Sequence, residues 1–197
     1  ADERVGAFAA LALYIALVSA MGAVILVLAY VMAWWLGGVA LARFARAIVP
    51  SQAEALSTQS SLASLPAMLE SAARLNLRPS VAEFVLPLAV AIFRATSVAM
   101  NLAVALYVAN LAGIDVPFAL VMNGILVAVI ISVGSVSLPG SISFVVSIGP
   151  IALAMGVPVE PLALLVAVEM LPAIMRTLGN VTMNVAVTSI VDRFSED

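Results

Sequence analysis

The chain has 197 residues, of which 64% are hydrophobic and 10% charged, with a mean hydropathy of +1.22 and a formal charge of −3. Soluble domains carry about 25% charged residues, so this composition excludes them and predicts an all-α polytopic membrane protein. With no Cys and no His, the chain lacks disulfides, thiolates, the commonest metal ligand and the usual catalytic base. No enzyme activity, cofactor, resident metal or nucleic-acid partner is expected.

The first 18 residues, ADERVGAFAALALYIALV, hold no initiator Met and no basic region with a cleavage site. They read as the start of a piece of something longer rather than as a signal peptide. Val5–Leu36 is 32 residues without a charge. That exceeds the ~20 needed to span a bilayer, so the helix is expected to be long, tilted or kinked near Gly22. Trp34 and Trp35 fall where an aromatic belt would lie, and Arg43 and Arg46 place that end in the cytoplasm. Residues 1–39 form a first unit, a long transmembrane helix.

Residues 40–112 form the second unit. Phe44–Leu56 and Leu62–Ala73 are too short to cross a core of ~30 Å. They flank the polar tip Ser57-Thr58-Gln59-Ser60-Ser61, and Arg lies at both outer ends. The economical solution is a re-entrant hairpin that enters from the cytoplasm and returns to it; the bland alternative is a Ser-rich loop between surface helices. Val81–Leu111 then spans outward. Pro87 predicts a kink, and Phe93-Arg94-Ala95-Thr96-Ser97 interrupts the run.

Residues 113–197 form the third unit. Phe118–Val133 and Ser143–Met155 flank a second small-residue tip, Gly134–Ser141, read as a re-entrant hairpin entered from outside. Leu162–Val191 returns to the cytoplasm as the last span. Arg43, Arg46, Arg74, Arg78 and Arg193 then lie inside, with Arg4 outside and Arg94 and Arg176 within spans. Hairpin followed by broken transmembrane helix, repeated in opposite orientation, is an inverted repeat, the architecture of secondary transporters. A multi-pass protein of the cell membrane, in bacteria the inner membrane, with lipid as its surroundings, is the expected setting.

The last span carries Glu169, Arg176, Thr177, Asn180 and Asn184. At 100° per residue they share an arc of about 100°. A charge at membrane depth costs several kcal/mol, roughly 2.5–3.5 on insertion scales, so such a stripe faces a partner, a cavity or a ligand. Spacing alone leaves open whether Arg176 is an anion anchor or one half of a helix–helix ion pair with a carboxylate.

Three motifs, in the family's order, resemble the dicarboxylate/amino acid:cation symporter (glutamate transporter) family. Ser57–Pro66, STQSSLASLP, resembles the serine-rich first tip. Ser137-Leu138-Pro139-Gly140 is similar to the Gly-Val-Pro-Gly second tip, and Arg176-Thr177 followed by Asn180-Val181-Thr182 to the Arg-Thr-x-x-Asn-Val-Thr pattern of the last helix. The resemblance covers the C-terminal, transport-domain half of that fold. It implies a small anionic substrate bound by Arg176, Thr177, Asn180, Ser60, Ser61, Ser137, Pro139 and Gly140, and a homotrimer for the full-length family. Ala173 stands where amino-acid transporters of the family carry an Asp for the substrate ammonium, which favours C4-dicarboxylates.

The resemblance also has gaps. The unwound Asn-Met-Asp-Gly-Thr motif, a source of sodium ligands, appears as Phe93-Arg94-Ala95-Thr96-Ser97, and a later sodium-binding Asp is Asn184. A hard cation wants oxygens and negative charge, and Arg94 would repel it. Sodium coupling is therefore expected to be altered or lost, with Arg94 as a tethered cation paired to Glu169 and Glu169 as candidate proton carrier. A fixed Arg94–Glu169 structural pair is the competing account. A non-transporting, degenerate or sensor-like relative is the alternative at the level of function.

Overall fold

The computed structural model describes residues 2–134 and 141–195, and every regular element among them is helical. Helix α1 (Asp2–Trp35) runs unbroken for 34 residues, about 51 Å at 1.5 Å per residue. Its apolar part, Phe8–Trp35, is long enough to cross a membrane. Gly22, expected as a kink site, instead gives α10 room to approach: a Cβ there would come within 2.9 Å of Met175 Cβ and 3.2 Å of its backbone. After α1 the chain turns at Gly38, whose φ of +68° lies in the left-handed region that favours glycine.

Helices α2 (Leu41–Ala47), α3 (Val49–Thr58) and α4 (Leu65–Arg74) follow. Pro50 and Pro66 sit in the first turns of α3 and α4, where a missing N–H costs nothing. Gln59 ends α3 in the left-handed conformation, with φ 50°. The arms of this hairpin are held together by Ser51, whose Oγ lies 2.6 Å from Ser71 Oγ and 3.0 Å from the Ala67 carbonyl. Each arm has 10 residues, about 15 Å of helix and so half a bilayer core.

Helices α5 (Pro79–Ile92) and α6 (Ser97–Leu111) form the second long apolar element, Pro79–Leu111. Helix α5 continues through Pro87, and the break falls at Phe93, which is extended with φ −98° and ψ 90°. Helices α7 (Phe118–Gly134) and α8 (Ser141–Ala154) pack on each other and on α6. The predicted tip residues Ser137, Pro139 and Gly140 lie outside the described residues.

The last span, expected over Leu162–Val191, breaks near its start. The chain forms α9 (Leu162–Leu165), a 3₁₀ turn (Val166–Val168) and α10 (Met170–Phe194), with a 76° bend at Glu169. Pro172 supplies the reason. It has no N–H for the Val168 carbonyl, so a continuous helix loses that bond, whereas the first turn of a new helix tolerates it. Among the described residues, two helical elements can cross a membrane by length and composition, or three if the bent pair counts as one span.

Helices α1 and α10 are the most extensively packed pair, and they run parallel. Tyr14 meets Glu169, Gly22 meets Met175, and the Leu36 carbonyl meets Arg193. Two apolar cores flank them. One joins Ala29 and Ala33 of α1 to Phe44, Ile48, Met68, Leu86 and α10 residues 181–186. The other joins Tyr14 and Val18 to Met100, Val104, Ile148, Ile151, Leu162 and Leu165. In sequence, the polar stretch 169–180 falls between the portions of the last segment that enter each core.

Candidate functional site

Four elements converge between the two cores: the tip of the α3–α4 hairpin, the α5–α6 break, α8, and the bend into α10. They enclose a cavity of about 410 Å³, within the roughly 300–1,000 Å³ range of small-molecule sites. Ser60, Ser61, Arg94, Glu169, Arg176, Thr177 and Asn180 all line it. Every sequence-predicted site residue among the described residues thus meets at one place.

The hairpin brings its tip there because α3 stops early. Thr58 Oγ1 bonds back to the Glu54 carbonyl at 2.8 Å, and Ser64 Oγ to the Ser60 carbonyl at 2.8 Å. These local bonds fold the tip back on itself without continuing either helix. Hydroxyls and backbone of Ser57–Ser61 consequently border the cavity.

Asn180 has a task the sequence did not disclose. Its Oδ1 accepts from both Thr96 N–H and Thr96 Oγ1, each at 3.0 Å. It thereby occupies an N–H at the start of α6 that no helical carbonyl can reach and fixes the break against α10. Thr177 Oγ1 donates to the Ala173 carbonyl at 3.0 Å within its own helix. Gln52 Nε2 donates to Thr182 Oγ1 at 3.1 Å and to Tyr30 OH at 3.2 Å, which ties the hairpin to α10 and α1.

The charges pair in an order different from that read in the sequence. Glu169 takes Arg176 as its ion-pair partner, with Oε1 2.8 Å from Nη2, where the sequence reading put Arg94. The reason is helical geometry. Seven residues are almost two turns, and Glu169 lies at the bend, so its carboxylate reaches down the face that carries Arg176. Both side chains are largely buried, at 11% and 18% exposure, so each needs the other. Arg94 borders the same cavity from the α5–α6 break.

Two further partners were missed. Asn101 Oδ1 of α6 accepts from Arg176 Nη1, and Tyr14 OH of α1, fully buried, donates to Glu169 Oε2. A tyrosine in the middle of an otherwise apolar helix was the available signal, because a buried phenol needs an acceptor. Tyr14 and Tyr107 are also ring neighbours, 5.3 Å between centroids, and Tyr107 OH donates to the Ala10 carbonyl. Asn184 is 1% exposed, and its side-chain amide has no hydrogen-bond partner among the described residues.

The oxygens at the cavity are hydroxyls, amides and one carboxylate already shared between Arg176 and Tyr14. Among the described residues no three His, Cys, Asp or Glu side chains cluster where they could hold a metal ion. The arrangement suits an anion. It places guanidinium groups and hydroxyl donors on one set of walls.

A cavity assembled from a short hairpin tip and broken apolar helices, with buried polar and charged side chains on its walls, is the design of a membrane transporter. The sequence matches the family model described as the sodium:dicarboxylate symporter family over residues 1–194, and the chain belongs to that family. It is 30% identical over 165 residues to a C4-dicarboxylate transport protein of Albidiferax ferrireducens, an alignment covering 82% of this chain and 36% of that one. It is 29% identical over 140 residues to a proton/sodium-glutamate symport protein of Bacillus subtilis, covering 71% and 32%. A protein of the same description from Geobacillus stearothermophilus is also 29% identical over 140 residues, covering 71% and 33%. The chain thus spans about a third of the length of the curated relatives it matches.

Proposed function

We propose that this chain forms the substrate-binding part of a secondary transporter that moves small carboxylates, C4-dicarboxylates foremost, across the cytoplasmic membrane. The observation that carries the proposal is the convergence of Arg176 and the Ser57–Ser61 tip on one cavity. A guanidinium fork holds a carboxylate bidentately, and tip hydroxyls and amides are suited to a second one. Ala173 lines the same wall. It offers no charge to an α-amino group, so succinate, fumarate or malate fits better than aspartate or glutamate.

Topology follows the same reading. The α3–α4 hairpin is re-entrant from the cytoplasm, and α7–α8 is its inverted counterpart from outside. The parallel course of α1 and α10 supports this, since both are then read from outside to inside.

Coupling is altered. Family positions that bear sodium-binding acids are Ala95 and Asn184 here, and Arg94 lies at the same cavity. Glu169 is the candidate proton carrier, since it is the cavity's carboxylate and holds the substrate's own anchor, Arg176. Protonation would free that anchor for a substrate carboxylate.

Uptake of labelled succinate and aspartate into proteoliposomes tests the proposal. The expected outcome is uptake of succinate in preference to aspartate, with little response to sodium, and no uptake by the Arg176→Ala variant. Strong sodium dependence would overturn the coupling assignment alone. Absence of both uptake and binding would turn the assignment to the non-transporting alternative.

A further inference from the structure

The five arginines read as cytoplasmic divide into two groups. Arg78 and Arg193 are absorbed by the end of α10 and its neighbours. Arg78 pairs with Asp192 at 2.9 Å and also donates to the Asp192 and Ser195 carbonyls, while Arg193 donates to the Leu36 carbonyl at 3.0 Å. Arg43, Arg46 and Arg74 instead line a shallow pocket of about 300 Å³ with Ala47.

Three like charges around one pocket repel, and little within the protein offsets them. Arg74 shares an exposed ion pair with Glu70 at 2.7 Å. Arg43 spends one N–H on the Leu75 carbonyl at 2.7 Å, and Arg46 one on the Ala42 carbonyl of its own helix at 3.1 Å. Among the described residues no carboxylate pairs with Arg43 or Arg46. A guanidinium has five N–H donors, so most donors of these two remain available.

The surroundings of the pocket indicate the kind of anion. Leu41 and Val49, at the two ends of the segment bearing Arg43 and Arg46, are exposed, as are Trp34 and Trp35 at the end of α1, which packs on α2. Apolar side chains for acyl tails, an aromatic belt and arginines above it form the stratification of a membrane interface. We infer that Arg43, Arg46 and Arg74 form a binding site for the phosphate of an anionic phospholipid headgroup. The inference rests on the membrane reading of the chain but not on its transport activity.

Trp34 and Trp35 are the two tryptophans of the chain, so their fluorescence reports on this corner. The protein in neutral detergent is titrated with brominated phosphatidylglycerol and, separately, brominated phosphatidylcholine. Quenching is expected at tenfold or more lower concentration of the anionic lipid. Arg46→Gln, whose bond lies within its own helix, should lower that preference about fivefold, and Arg43→Gln by a similar factor. Millimolar inorganic phosphate should leave quenching unchanged. Equal quenching by the two lipids, an undiminished preference in the double variant, or displacement by inorganic phosphate would each overturn the inference. None of these outcomes depends on succinate uptake, so the two proposals fail separately.

Discussion

Helices α1 and α10 lie side by side and parallel, yet they treat their surfaces in opposite ways. Helix α1 leaves Leu13, Leu17, Val24, Val27 and Leu28 exposed and buries two small groups, Tyr14 with Val18 and Ala29 with Ala33. From Gly179 to Ala186 of α10 every residue is buried, and three of them are Asn180, Thr182 and Asn184. An apolar helix can afford an open face in lipid, whereas a polar one must be enclosed on all sides and given partners. The pairing teaches how the cavity is insulated. Helix α1 contributes little polarity of its own, but it closes the side of α10 through which lipid would otherwise reach Glu169.

The contrast can be broken most severely at Arg176. Arg176→Ala leaves the Glu169 carboxylate buried with only Tyr14, a loss of about 3–5 kcal/mol for a broken buried pair. Binding of succinate should fall by at least a hundredfold, and the unfolding temperature in detergent should drop with it. Next comes the close crossing. Gly22→Leu drives a side chain into the Met175 backbone, and overpacking of this kind costs about 1–3 kcal/mol. Thermal unfolding should show that loss, while Gly22→Ala shows a smaller one.

Tyr14→Phe removes one hydrogen bond to a carboxylate and no volume to speak of, worth about 1.5–3 kcal/mol for a charged acceptor. Stability should fall by the lower part of that range, because Arg176 still holds Glu169. Succinate affinity should change with it, since the phenol orients the group that competes for Arg176. The smallest effect is expected from Leu17→Ala, on the open face of α1, at 50% exposure. A change within about 0.5 kcal/mol is predicted there, and a large one would show that another part of the protein covers that face.

Much of the site was legible because charge at membrane depth is conspicuous. Arg176, Glu169 and Asn180 declared a polar face of the last span before any packing was known, and the short arms around the Ser57–Ser61 run, with Arg at both outer ends, marked a hairpin too short to span. Partner choice was not legible. Glu169 was matched with Arg94 because both were deep and opposite in charge, but the bend at Glu169 aims its carboxylate along α10 toward Arg176. Pro172 was in view, and its consequence for a helix start was the missing step. Tyr14 and Asn101 escaped for a different reason. One neutral polar residue on an apolar helix has no periodic signature, and its partner lies 155 positions away for Tyr14 and 75 for Asn101.

Asn180 illustrates how one side chain can carry two loads. The resemblance cast it as a substrate contact, and its Oδ1 is engaged with Thr96. Its amide N–H₂ remains to donate toward the cavity, so the residue that fixes the α5–α6 break also presents a donor to an anion. Asn180→Asp should therefore weaken succinate binding by repulsion while keeping the acceptor for Thr96.

The fastening of α1 to α10 has a mechanical meaning. The pair is pinned by Tyr14 and Glu169 toward one end, meshed at Gly22 and Met175, and clasped by Arg193 and the Leu36 carbonyl at the other. The outer pins, Tyr14 and Leu36, are 22 positions apart, about 33 Å of helix, which makes the two helices a single strut rather than two sliding rods. Any opening of the cavity then has to come from its other walls, the α3–α4 tip, α8 and the broken segment at Phe93, while the strut carries Arg176 along with it.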